Sequence, residues 1–223
     1  MTTSDPEIIG VKNGIYQCEI IPKSFLNSEA YNILESQFRF TSYELNKYQA
    51  PAENFEFEYV KFLKKAKVTD VISYSPKLVE FQFIISTKAK AVLDQLNLPN
   101  CRFYKTSLFD SRGDKVPNNF FMLQMTYSDV DVINFRKSSF YRGSDILGKK
   151  YLNINNYQEF QQEKEIDALI SVEHISLKKE MIKSDLILSP VGGLFASERL
   201  WDKWSDLRIT GIKVFERQTA SVE

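Results

Sequence analysis

The run Asn54–Phe62, NFEFEYVKF, constrains this chain more than any other stretch. Phe55, Phe57 and Tyr59 alternate with Glu56 and Glu58. A period of two belongs to a strand with one face buried and one wet, and a helix would scatter the same residues around its axis. The run reads as a half-buried antiparallel strand, because antiparallel sheets are the ones that leave a face to water. The period recurs. GIYQCEII sets Tyr16, Cys18 and Ile20 against Gln17 and Glu19, and NNFFMLQMTY alternates at Phe121, Leu123 and Met125. DVISYS, VEFQFII, CRFYKTSLF and VDVINF read as further strands.

Helical spacing separates some of these runs. SFLNSEAYNILESQF has Ser24 as its expected N-cap and Tyr31, Leu34 and Phe38 on one face. In STKAKAVLDQLNLPN, Ser86 caps a stripe of Ala89, Val92, Leu93 and Leu96, which Pro99 and Asn100 end. Residues 136–164 read as an irregular connection anchored by Phe140, Tyr141 and Tyr151. EIDALISVEHISLKKEMIKSDLILSP reads as a strand or short helix, a charged helix, and a strand. The expected fold is α+β: a mixed, mainly antiparallel sheet, taken as continuous, with a few helices packed on it. One compact domain is expected, with an N-terminal strand and helix region at 1–67 and the remainder at 68–223.

The C-terminal stretch FASERLWDKWSDLRITGIKVFE echoes an earlier one. Residues 197–215 lie over 86–104 without a gap: Ser197 on Ser86, Leu200 on Ala89, Trp204 on Leu93, Leu207 on Leu96, Gly211 on Asn100, and Val214 and Phe215 on Phe103 and Tyr104. DLILSP likewise resembles DVISYSP. Both serines suit helix caps, and Asn100 and Gly211 suit a turn at positive φ. Trp204 and Leu207 read as core, Glu198, Arg199, Asp202 and Lys203 as the wet face, and Trp201 as an anchor beside the stripe. Two origins stand side by side here: an internal repeat, or recurrence of a common strand–helix architecture.

Little in the chain points to chemistry. His174 is its only histidine, and no GxSxG elbow precedes a serine. Cys18 and Cys101 are far apart, and no HExxH, Walker or GxGxxG motif occurs. No catalytic, metal or cofactor residue is assigned. Gly192 and Gly193 are expected in a hairpin turn, and SRGDK in a turn after SLF. Lysine plus arginine and aspartate plus glutamate number 29 each, which argues against a dedicated nucleic-acid binder. The N-terminus shows no signal-peptide pattern, and no run reaches the roughly 20 apolar residues of a membrane span, so a cytoplasmic location is expected. The densest acidic stretch, YQEFQQEKEID, holds Glu159, Glu163, Glu165 and Asp167. It reads either as a solvated face or as a docking surface for a basic partner.

The stretches SPKLVEFQFIISTKAKAVLDQLNLPNCRFYK, DVDVINFRKSSF and FASERLWDKWSDLRITGIKVFE together resemble immunity proteins of bacterial polymorphic toxin systems. That large family was once described only as a domain of unknown function. The likeness spans residues 68–217 and includes Ser197, Glu198 and Arg199 at a helix start and Thr210, Gly211 and Phe215 at a turn into a strand. The resemblance implies binding without catalysis: the protein would hold a cognate toxin domain, such as a nuclease or nucleotide-degrading enzyme, in an inactive complex. An adaptor or chaperone for a secreted effector is the alternative, and an unrecognised hydrolase the third. Expected contact residues are Glu159, Glu163, Glu165 and Asp167 if the toxin is basic, with Tyr141, Arg142, Tyr151 and Trp201 as hot spots by residue type.

Overall fold

A computed structural model describes residues 5–12, 16–39, 55–75, 77–144, 146, 148–213 and 219–223. The elements are α1 (Pro6–Ile9), β1 (Cys18–Ile20), α2 (Ser28–Phe38), β2 (Phe57–Phe62), β3 (Val71–Ile72), β4 (Phe81–Ser86), α3 (Thr87–Leu93), β5 (Cys101–Phe109) and β6 (Phe120–Met125). They continue with β7 (Ser139–Ser144), β8 (Gly148–Leu152), α4 (Tyr157–Ile166), β9 (Ser171–Leu177), β10 (Leu186–Ser189), β11 (Gly193–Ala196), α5 (Glu198–Asp206) and β12 (Thr219–Val222). The architecture is α+β. The single continuous sheet expected from the sequence is instead three sheets among the described residues: six strands in the order β1-β2-β5-β6-β4-β3, the hairpin β10-β11, and four strands in the order β12-β9-β7-β8.

The six-stranded sheet draws strands from both sides of residue 67 and is buried on both faces. Phe120 and Met122 of β6 join Phe57, Phe81 and the α2 residues Tyr31, Leu34 and Phe38 on one side. Leu123 and Met125 join Phe83, Ile85 and the α3 residues Ala89, Val92 and Leu93 on the other. Alternation in a doubly covered strand separates two cores instead of separating core from solvent.

Two irregularities correct the simple period. β2 pairs antiparallel with β1 but parallel with β5, and its register shifts between Phe57 and Val60. The shift moves the buried set from Phe55 and Phe57 to Val60 and Phe62, so Tyr59 is only half-buried. A second shift separates Phe81 from Phe83, which consequently enter opposite cores.

Other expectations change for local reasons. Asn27, not Ser24, caps α2 by accepting from the Ala30 N–H, while Ser24 closes a 3-10 turn over Pro22–Ser24. VDVINF forms two 3-10 turns, Val130–Val132 and Phe135–Lys137, with a lone bridge from Ile133 to Leu177. The Asp129 carboxylate accepts from the Asp131 N–H, which favours a turn over a strand. The charged helix expected in ISLKKEM is one 3-10 turn, Lys179–Met181. Residues 136–164 are a hairpin followed by a helix, not an irregular connection. The two glycine-bearing turns stand as expected: Gly192 and Gly193, both at positive φ, turn β10 into β11, and Asp110 nucleates the SRGDK turn by accepting from the N–H groups of Arg112, Gly113 and Asp114.

The two echoed stretches share one geometry at their helix starts. Ser86 and Ser197 each follow an antiparallel hairpin, and their hydroxyls accept from the Ala89 and Leu200 N–H groups at 3.2 Å. Each hydroxyl also donates to an aspartate just before its hairpin, Ser86 to Asp70 at 2.8 Å and Ser197 to Asp185 at 2.7 Å. Each aspartate then reaches the other unit. Asp70 Oδ2 accepts from the N–H (3.0 Å) and hydroxyl (2.9 Å) of Thr210, beyond α5, and Asp185 Oδ2 accepts from the Asn97 N–H (2.9 Å), beyond α3. The reciprocity is what an internal two-fold would produce. Leu200 and Trp204 are buried as Ala89 and Leu93 are, but Leu207 is 51% exposed, not core, because the helix ends before its turn can face inward. Gly211 has φ 92°, whereas Asn100 is not at positive φ. Val214 and Phe215 lie outside the described residues.

Candidate functional site

The four-stranded sheet and α4 between them carry seven of the eight expected contact residues: Tyr141, Arg142 and Tyr151 on the sheet, and Glu159, Glu163, Glu165 and the C-cap Asp167 on the helix. In the β7–β8 hairpin, Phe140 faces Leu152 and Tyr141 faces Tyr151. Alternation sends the first pair inward: Phe140 is buried with its ring 5.6 Å from that of Phe160 on α4. It sends the second pair to the opposite, open face, with ring centroids 6.1 Å apart. Lys149 shares that face. Its Nζ lies 4.7 Å over the Tyr141 ring and donates to Glu173 at 2.8 Å. The Tyr151 hydroxyl donates to both Glu173 oxygens, at 3.2 and 2.9 Å, and this bond to a carboxylate raises the phenol above its ordinary pKa.

Farther along, His174 is committed on both ring nitrogens, to Thr219 Oγ1 at 2.8 Å and Ser221 Oγ at 2.9 Å, and so ties β12 to β9. Both cysteines are free thiols. Burial pushes Cys18 and Cys101 well above and above their ordinary pKa respectively, the opposite of nucleophile activation.

α4 covers the inner face of the sheet and uses most of its acids internally. Asn156 caps it by accepting from the Glu159 N–H, and Glu159 answers by accepting from the Asn155 and Asn156 groups. That capping box, the Asn155 N–H first, lowers the Glu159 pKa. Arg142, adjacent to Tyr141 and therefore on the opposite face, reaches α4. It pairs with the Glu163 carboxylate at 2.9 Å, donates to the Glu163 carbonyl at 2.5 Å, and stands 3.6 Å from Asp167. Of the four expected acids, Glu165 is the one left exposed without a described partner.

A cleft of about 720 Å³ opens where β7, the start of β9, α4 and the β10–β11 turn meet. Tyr141, Lys149, Phe160, Lys164, Ser171 and Val191 are among its walls, and the volume lies within the usual ligand-site range. Three aliphatic side chains stand close to it in sequence: Ile146, two residues past the lining Ser144, is 93% exposed, and Ile166 and Leu169, flanking the lining Ala168, are 74% and 79% exposed. Sequence reading missed these three because isolated apolar residues in a polar stretch carry no period. Trp201 is half-buried on α5 and does not line the cleft.

Among the described residues no group of three or more His, Cys, Asp or Glu side chains is placed to hold a metal ion, and no helix is long and apolar enough to cross a membrane. No protein-family model matches the chain, and no curated protein matches it.

Proposed function

We propose that this chain is an immunity protein that binds a cognate bacterial toxin and neutralises it stoichiometrically, without turnover, in the cytoplasm. One observation carries the reading. Tyr151, 58% exposed on an open sheet face and paired with the lining Tyr141, and the exposed Ile146, Ile166 and Leu169, within two residues of lining positions in the chain, adjoin a ready-formed cleft. Solvent-facing aliphatic and tyrosine side chains beside a concavity are the makings of a protein interface. The likeness of residues 68–217 to toxin-immunity proteins supplies the class of partner, a toxin domain such as a nuclease or nucleotide-degrading enzyme.

The test is co-expression with the C-terminal domain encoded by the gene next to its own. The expected result is cell survival, a one-to-one complex on gel filtration, and full protection by His174→Ala. Binding to an export segment without protection would replace this reading with an adaptor or chaperone. Protection that requires many turnovers per molecule would replace it with an enzyme.

A further inference from the structure

The cleft beside α4 has an unbalanced charge. Among the described residues its charged lining side chains are Lys149 and Lys164, and none is a carboxylate. Lys149 is held by Glu173, whereas Lys164 pairs with no described residue. The neighbouring acids are occupied elsewhere: Glu163 and Asp167 on Arg142, Glu159 in the cap of α4. Tyr141 and Ser171 also line it, together with the apolar Phe160 and Val191.

We propose that this cleft is the docking site for an acidic, aliphatic-flanked segment of the protein partner. The proposal rests on the reading of the chain as a binding protein and names the chemistry of what it binds. An entering carboxylate exchanges water for Lys164 and neighbouring polar groups of the lining, in a concavity where solvent screens less than at an open surface. The flanking aliphatic residues of the partner cover Ile146, Ile166 and Leu169, which supply apolar area that the charge alone does not. Charge sets orientation and on-rate, and the aliphatic rim holds the complex. The polarity is the reverse of the basic partner that the acidic stretch 157–167 implied, because folding turns three of its four acids onto groups of the same chain.

The test uses the full chain and needs no toxin. A phage-displayed library of random 12-residue peptides is selected on the immobilised protein, and enriched peptides are titrated against its 15N-labelled form. The expected winners are rich in Asp and Glu beside Leu, Ile or Phe, and shift the amides of Gly143, Ser144, Ser171 and Gly192. They should lose at least about tenfold in affinity when their acids become amides, and again with Lys164→Glu at an unchanged melting temperature. Neutral or basic winners, shifts elsewhere, or no enrichment would overturn the proposal. Glutarate or inorganic phosphate alone, shifting the same amides at concentrations as low as the peptides need, would overturn it in favour of a free-anion site. The outcome is separate from cell protection: a chain that protects but selects no acidic peptide loses this proposal only, and one that selects them without protecting loses only the toxin assignment.

Discussion

Gln17 shows how much one side chain can decide. The alternation of GIYQCEII assigns it to the wet face, yet it is buried. Its amide nitrogen donates to the Lys67 carbonyl at 2.8 Å and to Thr69 Oγ1 at 3.0 Å, while its oxygen accepts from the Ser73 N–H at 3.0 Å and the Ser73 hydroxyl at 3.2 Å. The side chain thereby pins residues 67–73 to β1, and no period could reveal it, because its partners lie some fifty residues away. Gln17→Leu would strand these groups in the core, at a cost of roughly 2–4 kcal/mol. Urea unfolding checks this, and a loss under about 1 kcal/mol would show that water reaches them.

At the scale of elements, legibility followed burial. α3 and α5 could be read because their caps and buried stripes are local. β7, β8 and α4 could not, because their sequences are polar and few of their residues are buried: Phe140 alone in β7, none in β8, and Phe160 alone in α4. Their stability comes from cross-strand pairs, a capping box and Arg142, none of which is periodic. The exit from α5 was legible in part. Glycine was expected where the turn needs positive φ, but the tighter demand is steric. A Cβ on Gly211 would stand 2.0 Å from the Val71 carbonyl oxygen and 2.6 Å from Thr69 Oγ1. Gly211→Ala should therefore cost about 3 kcal/mol or more. A thermal melt measures it, and a near-neutral result would mean that the latch between the units gives way easily.

At the scale of the whole molecule, Asp70 and Asp185 join the two hairpin–helix units. Burial raises the pKa of each, but the bonds from Thr210 and Ser86 and the charge of Lys88 outweigh it at Asp70, and the bonds from Arg199, Ser197 and Asn97 outweigh it at Asp185. Both carboxyls consequently lie below their ordinary value of 3.8. Groups depressed by folding contribute stability above their unfolded pKa and lose it as pH falls through the folded one. The urea midpoint should change little on their account from pH 7 to 5 and drop below about pH 4. Asp70→Asn with Asp185→Asn should lower it at pH 7 and flatten that drop. An unchanged acid limb would place the linkage in other carboxylates.

The sequence by itself determined the fold class, the caps at Ser86 and Ser197, the glycine turns and the likeness of the two units, because each is fixed by neighbours a few residues apart. The tertiary structure alone decided that the strands divide into three sheets, that Gln17, Asp70 and Asp185 are the joints, and which acids of α4 are engaged within the chain. Those outcomes depend on side chains 50 to 140 residues apart in the chain, and hydrogen bonds across such separations leave no local pattern from which to read them.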